Sequence, residues 1–154
     1  MLLKTLKNFK GLSFRQEIIH NSKFLKVIND SKATSFSSSE KLLRSIKNIY
    51  WIMGGLPKKG DKFLLKKNDC KNIKLYIFGQ NQNFFINQLK NKMEFQSFLN
   101  LKTLMAKIFL DIKNENNFIK KTILFSPASA SFDSFRNFEE RGKHFNKLIK
   151  KHIK

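Results

Sequence analysis

Three short stretches of this chain place hydroxyls, small residues, lysines and a carboxylate within a few positions of one another. The first reads Asn29-Asp30-Ser31-Lys32-Ala33-Thr34 and the second Gly54-Gly55-Leu56-Pro57-Lys58-Lys59-Gly60-Asp61-Lys62. The third reads Ser126-Pro127-Ala128-Ser129-Ala130-Ser131-Phe132-Asp133-Ser134-Phe135. Hydroxyls and the free N–H groups at helix starts donate to oxyanions, and a lysine ammonium adds a point charge. Together they suit an anionic ligand carrying several carboxylates or phosphates. Metal and thiol chemistry have less support. The single cysteine, Cys70, excludes a disulfide framework and a cysteine-based zinc finger, and His20, His144 and His152 share no metal-ligand spacing. The competing explanation is that Asp, Asn, Ser and Gly simply make good turns and helix caps.

Each stretch follows a short apolar run, and the runs alternate with helical patterns. Gln16–His20 and Phe24–Ile28, divided by Asn21-Ser22, read as a hairpin. Ser39 to Ile46 has helical periodicity with Ser as its N-cap. Ile49–Met53, Leu75–Phe78 and Thr122–Phe125 are continuous apolar runs ended by Gly or Ser-Pro, the pattern of buried strands. Phe84–Leu89, then Phe98, Leu101, Leu104, Met105, Ile108 and Phe109, then Phe135–Ile153 carry apolar residues at helical spacing. Leu2, Leu3, Leu6 and Phe9 predict a first helix stopped by Gly11. Strands alternating with helices imply βαβ units and an α/β fold, Rossmann-like, with a mostly parallel sheet flanked by helices. In such sheets ligands bind beyond the carboxyl ends of the strands, where the three stretches fall.

The chain has 154 residues, 41% of them hydrophobic, so it is one domain's worth with a core rather than a disordered basic tail. Its net charge of +20 would ordinarily suggest nucleic acid. Only four of the 31 basic residues are arginine, however, and the lysines are spread evenly rather than in blocks. Richness in Lys, Asn, Ile and Phe, all with A/T-rich codons, accounts for the charge without a partner. No apolar run approaches a membrane span, and Met1-Leu2-Leu3-Lys4 does not open a signal peptide. The expectation is a soluble, cytoplasmic protein without a specific nucleic-acid or membrane partner.

Read in order, four motifs resemble the C-terminal domain of the Mur ligases. They are Gly11-Leu12-Ser13-Phe14-Arg15, Asn29 through Ser35, Gly54-Gly55 through Asp61, and Ser126 through Gly142, which includes Asn137-Phe138-Glu139-Glu140-Arg141-Gly142. The Asp-Ser-Lys-Ala-Thr run is most similar to the branch that joins D-glutamate to UDP-N-acetylmuramoyl-L-alanine. The resemblance implies a Rossmann-like domain over residues 11–154, preceded by an interdomain helix remnant at 1–10. It implies an ATP-dependent ligation in peptidoglycan precursor synthesis, in which an acyl phosphate is attacked by the amine of D-glutamate. Thr34, Lys58, Ser131, Phe132 and Phe138 match D-glutamate-binding positions, and Arg15 and Asp30 match positions that touch ATP. Lys32 is the catalytic candidate, steadying the developing negative charge. Lys58 and Lys59 are adjacent and either could be merely solvated; the motif register favours Lys58. Phe138 could equally be core packing.

The chain departs from the family pattern at Phe14, where the family has His, at Ser35 in place of Asn, and at Phe132 in place of a commoner Leu. The first could alter nucleotide contacts. No Gly-x-x-x-x-Gly-Lys-[Ser/Thr] phosphate loop occurs, nor a Glu/His set for Mg2+. The UDP-binding and central ATPase domains are absent, so the chain reads as a fragment of a longer ligase or a relic, inactive alone, with its Mg2+ ligands elsewhere. The rival readings are a basic nucleic-acid-binding module and a non-catalytic relic domain.

Overall fold

A computed structural model describes residues 11–115 and 118–153; the helix anticipated over residues 1–10 lies outside them. A hairpin opens the chain, β1 (Glu17–Asn21) and β2 (Leu25–Asn29), as its apolar runs predict. Then come α1 (Phe36–Ser45), β3 (Ile49–Met53), a 3-10 turn at Lys67–Cys70 and β4 (Ile73–Phe78). The chain continues through α2 (Gln82–Leu89), β5 (Phe95–Phe98), α3 (Leu101–Asn114), β6 (Lys121–Phe125) and α4 (Phe138–His152). The sheet order is β1-β2-β6-β3-β4-β5. Among the described strands only β1 is antiparallel to its neighbour; β2, β6, β3, β4 and β5 run parallel. The α/β, mostly parallel reading therefore holds.

The continuous apolar runs belong to the middle of this sheet. Every residue of β3 and of β6 is buried, because helices cover both faces of a parallel sheet. Ile49, Trp51 and Met53 turn to the face packed by α1 and α2, where Phe36, Leu43, Phe85 and Leu89 complete the core. Tyr50 and Ile52 turn to the other face, against Leu104, Met105 and Ile108 of α3 and Phe145 and Leu148 of α4. Phe145 stacks on Phe125 of β6 at 4.3 Å between ring centroids, fastening α4 to the central strand.

Three boundaries differ from the periodicity. The helix anticipated from Phe98 to Phe109 is a strand and a helix: Phe98 ends β5, and Asn100 caps α3 by accepting from Thr103 N at 3.0 Å. Helix α1 is capped by Ser35, four residues before the expected cap Ser39, and Phe36 is buried in its first turn. Helix α4 starts at Phe138 rather than Phe135, because Asn137 caps it by accepting from Glu140 N at 2.8 Å.

Candidate functional site

The loops leaving β2, β3 and β6 stay laced together beyond the strand ends. Asp30 N donates to Phe125 O at 2.7 Å, Ser126 N to Ile52 O at 3.2 Å, and Gly54 N to Pro127 O at 3.2 Å. Leu56 and Ala130 exchange both backbone hydrogen bonds at 2.9 Å, so the second and third motif loops are zipped side by side. Glycine is required at this crossing. A Cβ on Gly54 (φ +142) would sit 2.1 Å from Phe78 O, and one on Gly55 (φ +133) 2.5 Å from Ala130 O.

Beneath the loops lies a buried polar knot. Arg141, on α4, is fully buried; its Nη2 donates to Ser31 O at 2.7 Å and Ser129 O at 2.9 Å, and its Nε to Ser31 Oγ at 3.1 Å. Its Nη1 is the one buried side-chain polar atom without a partner among the described residues. Burial pulls the Arg141 pKa down to about 10, against the opposing pull of Asp133. Asp30 is also turned inward, accepting from Gln16 N at 3.1 Å and from Ser126 Oγ at 3.0 Å. Burial raises its pKa above the usual carboxyl value, opposed by those two bonds and by Arg15. Ser126 Oγ in turn meets Ser39 Oγ of α1 at 2.7 Å.

The side chains singled out by the motifs fall into several separate groups. Lys32 and Phe138 are brought into contact, with Lys32 Nζ 4.1 Å from the centre of the Phe138 ring. Thr34 and Lys58 are exposed on loops joined by Asp61, whose Oδ2 accepts from Phe36 N at 2.7 Å. Lys58 opens the turn Lys58–Asp61, in which Asp61 N donates to Lys58 O at 3.1 Å and Gly60 takes φ +78. Ser131 is buried, its carbonyl accepting from Ser134 N and Phe135 N, while Phe132 beside it is 71% exposed. Arg15 is exposed, on a backbone held between Phe14 at φ 62 and Gln16 at φ 51. Asp30, its motif neighbour, presents its carboxylate to the interior instead. A cleft of about 1200 Å3 lies elsewhere, between Lys67, Lys74, Gln96, Asp111 and Glu115, and shares no residue with the motif loops.

No protein-family model matches the chain. A UDP-N-acetylmuramoylalanine–D-glutamate ligase of Wolbachia sp. subsp. Brugia malayi is 38% identical over 151 residues, covering 97% of this chain and 30% of the relative. The chain is a homologue of the Mur ligase C-terminal region. It spans about a third of the length of the curated relatives it matches. Among solved structures, the UDP-N-acetylmuramate–alanine ligase of Thermotoga maritima matches with a TM-score of 0.58 at 17% identity, over 97% of this chain and 33% of that one. A MurF ligase of Thermotoga maritima in complex with ADP matches with a TM-score of 0.56 at 12% identity, over 99% of this chain and 37% of that one. These two likenesses establish a shared fold.

Within this Mur ligase region, sequence reasoning passed over Arg141 and the Phe14–Gly142 pair. The Phe14 ring is buried against α4, and a Cβ on Gly142 would lie 2.3 Å from Phe14 Cδ1 and 2.8 Å from Cγ and Cε1. Phe14, one of the three departures from the family pattern, is therefore withdrawn into the core. The scarcity of arginine was the available signal for Arg141, since a chain that otherwise uses lysine places arginine where a fork of donors is needed. Among the described residues, no helix is long and apolar enough to cross a membrane.

Proposed function

We propose that this chain supplies the D-glutamate-binding face of an ATP-dependent ligase that adds D-glutamate to UDP-N-acetylmuramoyl-L-alanine in the cytoplasm. The observation that carries the reading is the lacing of the three motif loops into one surface at the carboxyl edge of the sheet. That surface carries Lys32, Thr34, Lys58 and the Ser131-Phe132 turn above the buried Arg141 cation. Its lysines, Lys32 and Lys58, offer the positive charge that a dicarboxylate requires. Lys58 captures one carboxylate of D-glutamate, and Thr34 with the turn at Ser131 and Phe132 hydrogen-bonds the other; Phe138 flanks the ligand beside Lys32.

ATP, when bound, supplies the phosphoryl group that activates the muramoyl-alanine carboxyl. The residues here fit part of that cofactor. Exposed Arg15 and the Lys32 ammonium suit phosphate oxygens, whereas the Asp30 carboxylate is already occupied by Gln16 N and Ser126 Oγ and acts as an internal tie. Among the described residues no group of three or more His, Cys, Asp or Glu side chains could hold a metal ion, so Mg2+ would take its protein ligands from elsewhere, and the described residues alone would not turn over.

The test is a titration of the 154-residue chain with D- and L-glutamate, followed by 15N NMR. D-Glutamate should shift the amides of Thr34, Lys58, Ser131 and Phe132 more than L-glutamate does. Lys58→Ala should weaken binding about tenfold, the equivalent of about 1.4 kcal/mol. Lys59→Ala should be nearly silent, because an exposed charge contributes little. Equal response to both enantiomers, or a damaging Lys59→Ala beside a mild Lys58→Ala, would refute the assignment.

A further inference from the structure

We propose that Phe138 is a positioning residue for Lys32, holding its ammonium in place without neutralising it, so that Lys32 can meet a phosphoryl-type oxyanion. The proposal rests on the reading of the motif loops as the substrate face. A lysine side chain loses much rotamer freedom when it is fixed in one pose, so something must hold it. A carboxylate would do so but would cancel its charge. Among the described residues the ion pairs are Lys74–Glu115, Lys107–Asp111 and Arg136–Glu140, and Lys32 is in none of them. Its Nζ stands instead 4.1 Å from the centre of the Phe138 ring. A ring face attracts an ammonium through its quadrupole while accepting no proton and carrying no net charge. By the usual strength of such contacts, the stacked pose is favoured roughly 2- to 30-fold over the free side chain.

Both partners of the contact are fixed by one buried node. Ser31, immediately before Lys32, has a hydroxyl that lies 3.1 Å from Arg141 Nε and 2.8 Å from Phe138 O. Arginine only donates, so Ser31 Oγ must accept from Arg141 and send its own proton to the Phe138 carbonyl. The hydroxyl has one orientation, and it ties the first residue of α4 to the residue preceding the lysine. The Lys32 backbone is held from the other side, its N–H donating to Phe14 O at 3.0 Å. The guanidinium thus fixes a serine, the serine a phenylalanine, and the phenylalanine the pose of the cation.

The experiment separates this task from contact with D-glutamate by changing the ring without removing the apolar bulk. In the 154-residue chain, the Lys32 Hε protons should be shifted upfield by the ring current, an effect lost in Phe138→Leu and retained in Phe138→Trp. Tripolyphosphate and D-glutamate serve as separate NMR probes. Phe138→Leu, which keeps an apolar flank for D-glutamate, should weaken tripolyphosphate about 3- to 10-fold and by more than it weakens D-glutamate, and Phe138→Trp should restore tripolyphosphate binding to near the parent's. Lys32→Gln, which keeps the ring, should weaken tripolyphosphate at least as much and decides the matter should Phe138→Leu fail to fold. Unshifted Lys32 Hε protons in the parent, no binding of tripolyphosphate, or a Phe138→Leu defect confined to D-glutamate would each overturn the proposal. Failure of D-glutamate alone to bind the parent would overturn the reading beneath it.

Discussion

Replacing Gly142 with alanine should destabilise this domain, contrary to the ordinary rule for a glycine inside a helix. Glycine in a helix interior costs roughly 0.5–1 kcal/mol relative to alanine, so propensity alone makes Gly142→Ala a stabilising change. The new methyl, however, would sit 2.3 Å from Phe14 Cδ1, with two further ring atoms at 2.8 Å. Carbon atoms pack at about 3.5–4.0 Å, so the ring or the helix must give way by more than about 1 Å. Neither has an easy escape. Phe14 N donates to Glu17 Oε2 at 3.0 Å, Phe14 O accepts from Lys32 N at 3.0 Å, and Gly142 O accepts from Asn29 Nδ2 at 3.0 Å. Overpacking a core costs about 1–3 kcal/mol, and an approach of 2.3 Å belongs in the upper part of that range, leaving a net loss of about 1–2 kcal/mol after a gain in helix propensity of up to about 1 kcal/mol. In a domain of this size that lowers Tm by about 2–8 °C. Urea unfolding of the parent, Gly142→Ala, Phe14→Ala and the double variant closes a cycle. With the Phe14 ring removed, Gly142→Ala should instead stabilise by about 0.5–1 kcal/mol, a reversal of sign that only direct contact produces. A Gly142→Ala variant more stable than the parent, or one with the same effect in both backgrounds, would refute the reasoning.

Arg141→Met leaves Ser31 O, Ser31 Oγ and Ser129 O without their donor while removing a buried, half-satisfied cation; the balance is a loss of about 2–4 kcal/mol, seen as a lower urea midpoint with an unchanged slope, and a change under 0.5 kcal/mol would contradict it. Asp30 should give a pH signature of unusual sign. Burial raises its folded pKa above the ordinary value of 3.8, so the folded state holds this proton more tightly than the unfolded chain, and the ionised carboxylate costs stability above its folded pKa. Asp30→Asn should therefore gain most over the parent near pH 7 and lose that advantage as the pH falls to 4; a constant difference across that range would count against it.

The parts of the fold legible in the sequence were those dictated by burial. Ile49–Met53 and Thr122–Phe125 read as strands because a doubly covered sheet leaves its central strands no polar position. What escaped was decided by local competition between hydrogen bonds. Phe98 stands three residues before Leu101 and continues its helical spacing, yet the Asn100 side chain caps Thr103 N and starts the helix after the strand has ended. In the site, the loops were legible as clusters of small and charged residues. Their connections were not, since Arg141–Ser31, Asp30–Ser126 and Phe14–Gly142 join positions about a hundred residues apart. Asp30 shows the difference most plainly. Its type suggests a ligand contact, and only its partners reveal a carboxylate that fastens the β2 loop to the loop after β6.

The place of β6 in the sheet bears on how the molecule is made. The last of the described strands lies between β2 and β3, and no strand pair joins those two directly. Until residues 121–125 leave the ribosome, the hairpin and the β3–β5 half therefore each expose an open edge of buried-type side chains. Translation at about 5–20 residues per second keeps those edges waiting for roughly 5–20 s after β2 emerges. Unpaired edges of this kind are templates for pairing with other chains, so this is the window in which nascent copies are most vulnerable to mispairing. Charge then has a use unconnected with any ligand. Copies of a nascent chain this rich in lysine repel one another through the interval, and high net charge of either sign is a common guard against association.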